Sequence, residues 1–375
     1  MAEITKLTFC CFFSIFYFLI IESKSYQITF TYDGNFLIYN ENFYHEWSNW
    51  TACTSSCKMF RRKMCKDMSI TDTRVCPVKI IMEMKSCDCC GCDNISVKLT
   101  TLEGLPKTCG KRPTDNVRNK IIGGKPTQVN KWPWMVDLGS VINREMFINC
   151  GATLISDGWA ITAAHCMIPY ISQDYKLGVL TKVESKTKFI NIGNYHRGFI
   201  DKGEYKAYIS HIVVHPLYYN DDTVTIYDFA LLKLENRIKD SNAKFPCIAN
   251  EINFRLTQNP LCYTVGWATE TQNNQIFDDR LQEIQIPLVS YQKCHEEYFN
   301  IYINYTLHIC AGSKKKDTCT GDSGNGLYCF DPFTKSWLLY GIVSFGTSLG
   351  CGNTIGVYAR ISAAIEWIAN VVALY

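Results

Sequence analysis

The chain has 375 residues, 47% of them hydrophobic and 19% charged, which describes a globular protein long enough for more than one domain and without low-complexity tracts. Its formal net charge of +3 is too small to argue for a nucleic-acid partner or an acidic substrate. Twenty cysteines exclude an ordinary protein of a reducing compartment and point instead to a disulfide framework.

Residues 1–25 read as a signal peptide: Lys6, an apolar run over 7–21, then Ser23-Lys24-Ser25 at the expected cleavage point. A secreted, extracellular protein is therefore expected, with no stable membrane insertion, since no later run is long and apolar enough to span a bilayer. Sequons at Asn49, Asn94 and Asn304 fit that route as glycosylation sites. Residues 26–44 form an N-terminal segment in which 26–30 and 36–39 predict two short strands around Asp33-Gly34. No function attaches to it.

Eight cysteines fall between Cys53 and Cys92, too many for an ordinary core. The residues Trp47-Ser48-Asn49-Trp50-Thr51-Ala52-Cys53, Ser56-Cys57, Arg61-Arg62-Lys63-Met64-Cys65 and the later Cys76, Cys87 and Cys92 make 45–92 similar to a thrombospondin type-1 repeat. Alternation on one strand face lets Arg61 and Lys63 stack over Trp47 and Trp50. The resemblance implies the pairs Cys53–Cys87, Cys57–Cys92 and Cys65–Cys76, C-mannosylation of Trp47 and O-fucosylation of Ser56. Cys89 and Cys90 depart from the pattern. Lys58, Arg61, Arg62, Lys63 and Lys66 are either a glycosaminoglycan or matrix-ligand patch or solvated, ring-stacked cations.

Residues 93–120 turn polar and read as a linker and activation segment, ending at Lys120 before Ile121-Ile122-Gly123-Gly124. A basic residue in an exposed stretch is a cleavage point, and cutting after Lys120 would create an amine on Ile121. Beyond it, Trp159-Ala160-Ile161-Thr162, Ile212-Val213-Val214, Ala230-Leu231-Leu232-Lys233-Leu234 and Leu338-Leu339-Tyr340-Gly341-Ile342-Val343 are short apolar strands separated by turns. Such a series suggests barrels or sandwiches rather than βαβ units. Only 362–374 shows helical spacing.

Three segments carry chemistry. In Gly321-Asp322-Ser323-Gly324 a serine stands between glycines, and a serine hydroxyl becomes a nucleophile only beside a base. Thr162-Ala163-Ala164-His165-Cys166 places a histidine at a strand end. Tyr227-Asp228-Phe229-Ala230 sends a lone carboxylate into an apolar strand, where it needs a partner such as the histidine's Nδ1. In order and motif, 121–375 resembles a trypsin-like serine protease of the chymotrypsin family.

That resemblance implies a mainly β fold: two antiparallel six-stranded barrels with a C-terminal helix. It implies His165, Asp228 and Ser323 as catalytic residues and the backbone N–H groups of Gly321 and Ser323 as the oxyanion hole. Asp317, six residues before the serine, would select Arg or Lys, with Ser344, Gly346 and Gly356 lining the substrate site. A zymogen would be activated at Lys120, with Ile121 pairing to Asp322. The implied disulfides are Cys150–Cys166, Cys262–Cys329, Cys294–Cys310, Cys319–Cys351 and Cys109–Cys247, the last keeping the N-terminal part attached after cleavage. Asn325-Gly326 stands where the family has Gly-Pro, Phe345 replaces a common tryptophan, and an insertion includes 170–175.

No metal or cofactor is required by this reading. A calcium site would need acids between Gly193 and Glu204, where Asp201 and Glu204 are present but Asn194 replaces an expected acid. The competing class is a protease-like protein, catalytically weak or inactive, that binds matrix or host ligands.

Overall fold

The structure, a computed structural model, describes residues 26–30, 36–40, 44, 46–47, 58–66, 80–86, 105–113, 125–167, 177–239, 244–249, 260–267, 279–313, 322–346 and 355–375. The expected leader, Asn49, Trp50, Ser56, Asn94, every cysteine between 53 and 92 except Cys65, Lys120, Ile121, the insertion at 170–175, Asp317, Cys319, Gly321 and Cys351 lie outside these residues.

In the N-terminal part, β1 (Tyr26–Phe30) and β2 (Phe36–Asn40), the two strands expected from their sequence, pair antiparallel. Strands β3 (Lys58–Met64) and β4 (Ile80–Ser86) form a second pair. Tyr44 bridges to the disulfide-bonded Cys65, and both are buried. Arg61 and Lys63, two residues apart on β3, lie 4.6 and 5.5 Å from the Trp47 ring, as alternation along a strand requires.

The next strands are β5 (Lys125–Pro126), β6 (Met135–Ile142), β7 (Glu145–Leu154), β8 (Trp159–Thr162), β9 (Thr181–Lys182), β10 (Lys188–Ile192), β11 (Tyr205–Val214), β12 (Tyr219–Asn220), β13 (Thr225–Ile226) and β14 (Ala230–Leu234). The order β10-β6-β7-β8-β14-β11, with β11 paired back to β10, closes an antiparallel six-stranded barrel, and β9 adds to β11. Closure leaves the barrel strands no free lateral neighbour, so their inward rows of Val, Ile, Leu and Trp are all buried. Between β6 and β7 the chain reverses at Asn143-Arg144, both at positive φ (52° and 69°), the twist that matches a two-residue hairpin.

A second sheet uses β15 (Cys247–Ile248), β16 (Cys262–Gly266), β17 (Gln282–Gln285), β18 (Leu288–Val289), β19 (His308–Ala311), β20 (Gly326–Asp331), β21 (Ser336–Phe345) and β22 (Gly356–Arg360). Its order is β18-β19-β22-β21-β20-β16-β17-β5, with β15 parallel to β21. The expected second closed barrel is, by hydrogen bonding among the described residues, a half-barrel. The two ends of its main run, β17 and β18, are consecutive in the chain and joined across Ile286 and Pro287, where proline has no N–H to continue a ladder.

Helix α1 (Tyr291–Glu297) departs from the expectation of a single helical segment. Only Cys294 is buried in it, so it has no apolar stripe to read, and its signal is the Ser290 cap that accepts from the Lys293 N–H at 3.4 Å. A 3-10 turn (Ile361–Ala364) leads into α2 (Ile365–Leu374), the helix its spacing predicts, which buries Ile368, Ala369, Val371 and Val372.

Residues 105–113, polar enough to read as linker, are packed on the second sheet. The Gly110 N–H donates to the Phe245 carbonyl at 2.7 Å, the Trp337 N–H donates to Gly110 O at 2.9 Å, and Cys109 is bonded to Cys247. Arg112 lies 4.4 Å from the Trp132 ring and 3.9 Å from the Trp337 ring, at the corner where these two indoles meet edge to face.

Candidate active site

The histidine is fixed by its neighbours. Strand β8 ends at Thr162, and His165 sits in a 3-10 turn (Ala164–Cys166) whose Cys166 is bonded to Cys150 of β7. A bridge closing a loop of this length is worth about 3 kcal/mol in the chain-entropy model, and it pins the backbone beside the imidazole. The two sulfurs and the imidazole lie within 4.8 Å of one another, but the sulfurs are bonded to each other and offer no thiolate to a metal.

Asp228 enters from β14. Tyr227 before it adopts φ 49°, a left-handed conformation that costs a bulky residue about 1 kcal/mol or more, and its ring stacks on buried His215 at 4.5 Å. The turn is tightened by the Phe229 N–H donating to Tyr227 O at 2.7 Å. It delivers a carboxylate that is 1% exposed onto the His165 turn. The His165 backbone N–H donates to Oδ1 at 2.9 Å, Nδ1 lies 2.7 Å from Oδ2, and Ser344 Oγ donates to Oδ2 at 2.6 Å.

Burial alone would raise the Asp228 pKa, yet the charge and hydrogen bonds of His165, with the Ser344 hydroxyl, hold it below the usual carboxylate value. For His165 burial is the largest single influence and lowers the pKa. The charge and hydrogen bond of Asp228 together outweigh it, so the imidazole is raised above 6.5.

Backbone bonds hold the Ser323 turn to the first barrel and to the second sheet. The Gly151 N–H donates to Ser323 O at 2.9 Å, and the Gly324 N–H donates to Val343 O at 3.1 Å. Gly324 has φ +80°, and a Cβ on it would stand 2.2 Å from Thr162 Oγ1 and 2.4 Å from Gly151 O. The turn after the serine therefore lies directly on the strand end that leads to His165, and only glycine fits there.

The remaining predicted residues divide. Asp322 is buried beside Ser323, and its Oδ1 accepts from Asn325 Nδ2 at 3.1 Å. Ser344 and Gly346 lie at the end of β21, Gly356 opens β22, and a Cβ on Gly346 would meet nothing within 4 Å. Phe345 packs edge-on against Tyr298 and His308. Asn304 Oδ1 accepts from Thr306 Oγ1 at 2.7 Å, and its Nδ2 donates to the Tyr302 hydroxyl. Disulfides Cys150–Cys166, Cys262–Cys329, Cys294–Cys310 and Cys109–Cys247 are formed. In the loop considered for calcium, Asp201 accepts from the Tyr195 and His196 N–H groups and from His196 Nδ1, while Asn194 donates to Asp137.

Three residues escaped sequence reasoning. Ser344 was placed only as a substrate-strand residue, not as a partner of Asp228. His308, buried on β19, donates from Nε2 to Thr225 O at 2.8 Å and accepts at Nδ1 from the Asn304 N–H at 3.0 Å, tying the approach to Asp228 to the second sheet. Asn325 was noted only as a departure.

Residues 121–368 match the family model described as Trypsin. The chain is 30% identical over 260 residues to "Ovochymase" of Halocynthia roretzi, covering 68% of this chain but only 15% of that much longer protein. It is 30% identical over 265 residues to "Chymotrypsin-like elastase family member 1" of Felis catus, covering 70% of this chain and 92% of the relative.

Proposed function

The chain belongs to the trypsin family, and from that premise we propose that it is a secreted serine endopeptidase, made as a zymogen and cutting after Arg or Lys. The observation that carries the proposal is the pairing of His165 Nδ1 with Asp228 Oδ2 at 2.7 Å beside a serine whose carbonyl is bound by Gly151. With Asp228 ionised, the imidazole proton sits on Nδ1, leaving Nε2 as the base for the Ser323 hydroxyl. Ser323 attacks the peptide carbonyl, and His165 returns the proton to the departing amine. Water then releases the acyl group by the same route. The Ser344 hydroxyl keeps the carboxylate aimed at Nδ1 as the imidazolium forms.

Gly321 and Ser323 supply the oxyanion N–H groups, where losing one donor costs about 3 to 4 kcal/mol of transition-state stabilisation. Asp317 holds the substrate cation, in a pocket kept open by Gly346 and Gly356. Cleavage at Lys120 frees Ile121 to pair with Asp322, and Cys109–Cys247 keeps the N-terminal part covalently attached. That part is a thrombospondin type-1-like module whose cations Lys58, Arg61, Arg62, Lys63 and Lys66 suit a sulfated glycan or a matrix protein. No helix among the described residues is long and apolar enough to cross a membrane.

A fluorophosphonate probe tests the catalytic reading. Protein processed at Lys120 is expected to label at Ser323, and lack of labelling would overturn it in favour of a binding protein. On peptide substrates, processed enzyme is expected to prefer Arg over Phe at the cleaved bond by at least about 100-fold, because a carboxylate that selects a cation rejects a side chain that leaves its charge unpaired. Equal rates, or no loss of Arg preference in Asp317→Ser, would remove the specificity claim. Asp322→Asn, processed normally, is expected to be no more active than the uncleaved chain, since the ion pair cannot form.

A further inference from the structure

The side chain after the Ser323 turn fills a space between the first barrel and the second sheet. Asn325 is 1% exposed and wedged between Gly151 of β7 and Gly266 of β16. A Cβ on Gly151 would come within 1.5 Å of Asn325 Oδ1, and a Cβ on Gly266 within 2.3 Å of Nδ2 and 2.0 Å of Asp322 Oδ1. Backbone bonds hold the residue at both ends: its N–H donates to Asp322 O at 2.9 Å, and its carbonyl accepts from the Val343 N–H at 2.9 Å. A carboxylate facing an amide fixes which end is nitrogen, so Nδ2 donates to Asp322 Oδ1, at 3.1 Å.

A buried carboxylate is stable only where donors meet it, and an amide N–H is a donor that exists before any cleavage. The new ammonium on Ile121 is a donor that exists only afterwards. We propose that Asn325 is a positioning residue that holds Asp322, and with it the Ser323 turn, in working orientation, so that the uncleaved chain keeps part of the activity of the cleaved one. This rests on the endopeptidase reading above. In energetic terms, Asn325 stabilises the active arrangement whether or not the ammonium is present, and cleavage has less of the equilibrium left to shift.

The test compares uncleavable Lys120→Gln protein with processed protein, each carrying Asn325, Asn325→Gly or Asn325→Leu. The leucine keeps the shape of the amide without its donor, so it decides the matter if the glycine variant fails to fold. The readout is the ratio of kcat/KM, uncleaved to cleaved, on a small ester substrate within each pair, which cancels a general loss of packing. Removing the amide is expected to lower that ratio at least about 10-fold. It is also expected to move the alkaline loss of activity of processed enzyme to lower pH, since deprotonating the Ile121 amine mimics the uncleaved state. An unchanged ratio together with an unchanged alkaline limb overturns the role of Asn325 while leaving the endopeptidase reading in place. Failure of processed wild type to label with fluorophosphonate overturns both.

Discussion

Replacing Asp228 by Asn is expected to lower kcat by about 10⁴-fold at neutral pH while leaving the fold and substrate binding nearly intact. The reason lies in where the three donors meet the carboxylate. Oδ1 accepts the His165 backbone N–H at 2.9 Å, so an asparagine keeps its carbonyl there. Its NH2 then occupies the position of Oδ2, which now accepts from His165 Nδ1 at 2.7 Å and from Ser344 Oγ at 2.6 Å. A hydroxyl can rotate and accept instead, but the imidazole can accept at Nδ1 only by moving its proton to Nε2. That tautomer cannot take a proton from Ser323.

The same variant carries a second, independent readout. In the wild type kcat/KM should fall as pH drops through a His165 pKa above 6.5, because Asp228 outweighs burial. Without that charge burial alone remains, and the residual activity should titrate below 6.5. Steady-state kinetics from pH 4 to 9 would check both. A loss under 10-fold, or an unmoved acid limb, would remove Asp228 from its assigned role.

The residues proposed as catalytic were legible because the chemistry proposed for them imposes local composition: glycines around Ser323, a cysteine beside His165, an apolar strand behind Asp228. Their supports were not. Ser344 reaches Asp228 across 116 positions of sequence, and His308 reaches Thr225 across 83, both through the meeting of strands from two sheets. No periodicity encodes such a contact, since a serine on β21 and a histidine on β19 are equally compatible with ordinary burial. Asn325 was visible as an anomaly, but its use depends on two glycines at 151 and 266, far from it in sequence and meaningful only once β7 and β16 converge. The strands β8 and β14 were readable from their Ile, Leu and Ala runs. Helix α1, with one buried residue, offered only its serine cap.

Acidification should unfold this protein far more steeply than carboxylate titration alone predicts, because two buried histidines must stay neutral. His215 packs against Tyr227, Phe229 and Trp367, and burial pushes its pKa down to about 3. His308 is lowered to about 4, chiefly by burial, with the Arg360 charge acting in the same direction. Protonation would also cancel the lone pair with which His308 Nδ1 accepts the Asn304 N–H. Both pKa values lie below the unfolded 6.5, so the unfolded chain binds these protons first. Their stability contribution is complete above pH 6.5 and is lost as pH falls toward the folded values.

Two protons give a slope of up to about 2.7 kcal/mol per pH unit, or about 6 kcal/mol between pH 6.5 and 4, comparable with the whole stability of a domain. His165 opposes this weakly, since its folded pKa is raised and its protonation favours the folded state below 6.5. Urea unfolding with disulfides intact, in a Ser323→Ala background to prevent self-cleavage, would measure the slope at pH 7, 5.5 and 4. His308→Asn should reduce it by about one proton, and so should His215→Phe, whatever each does to stability at pH 7. A slope unchanged in both variants would mean that neither imidazole carries the acid sensitivity.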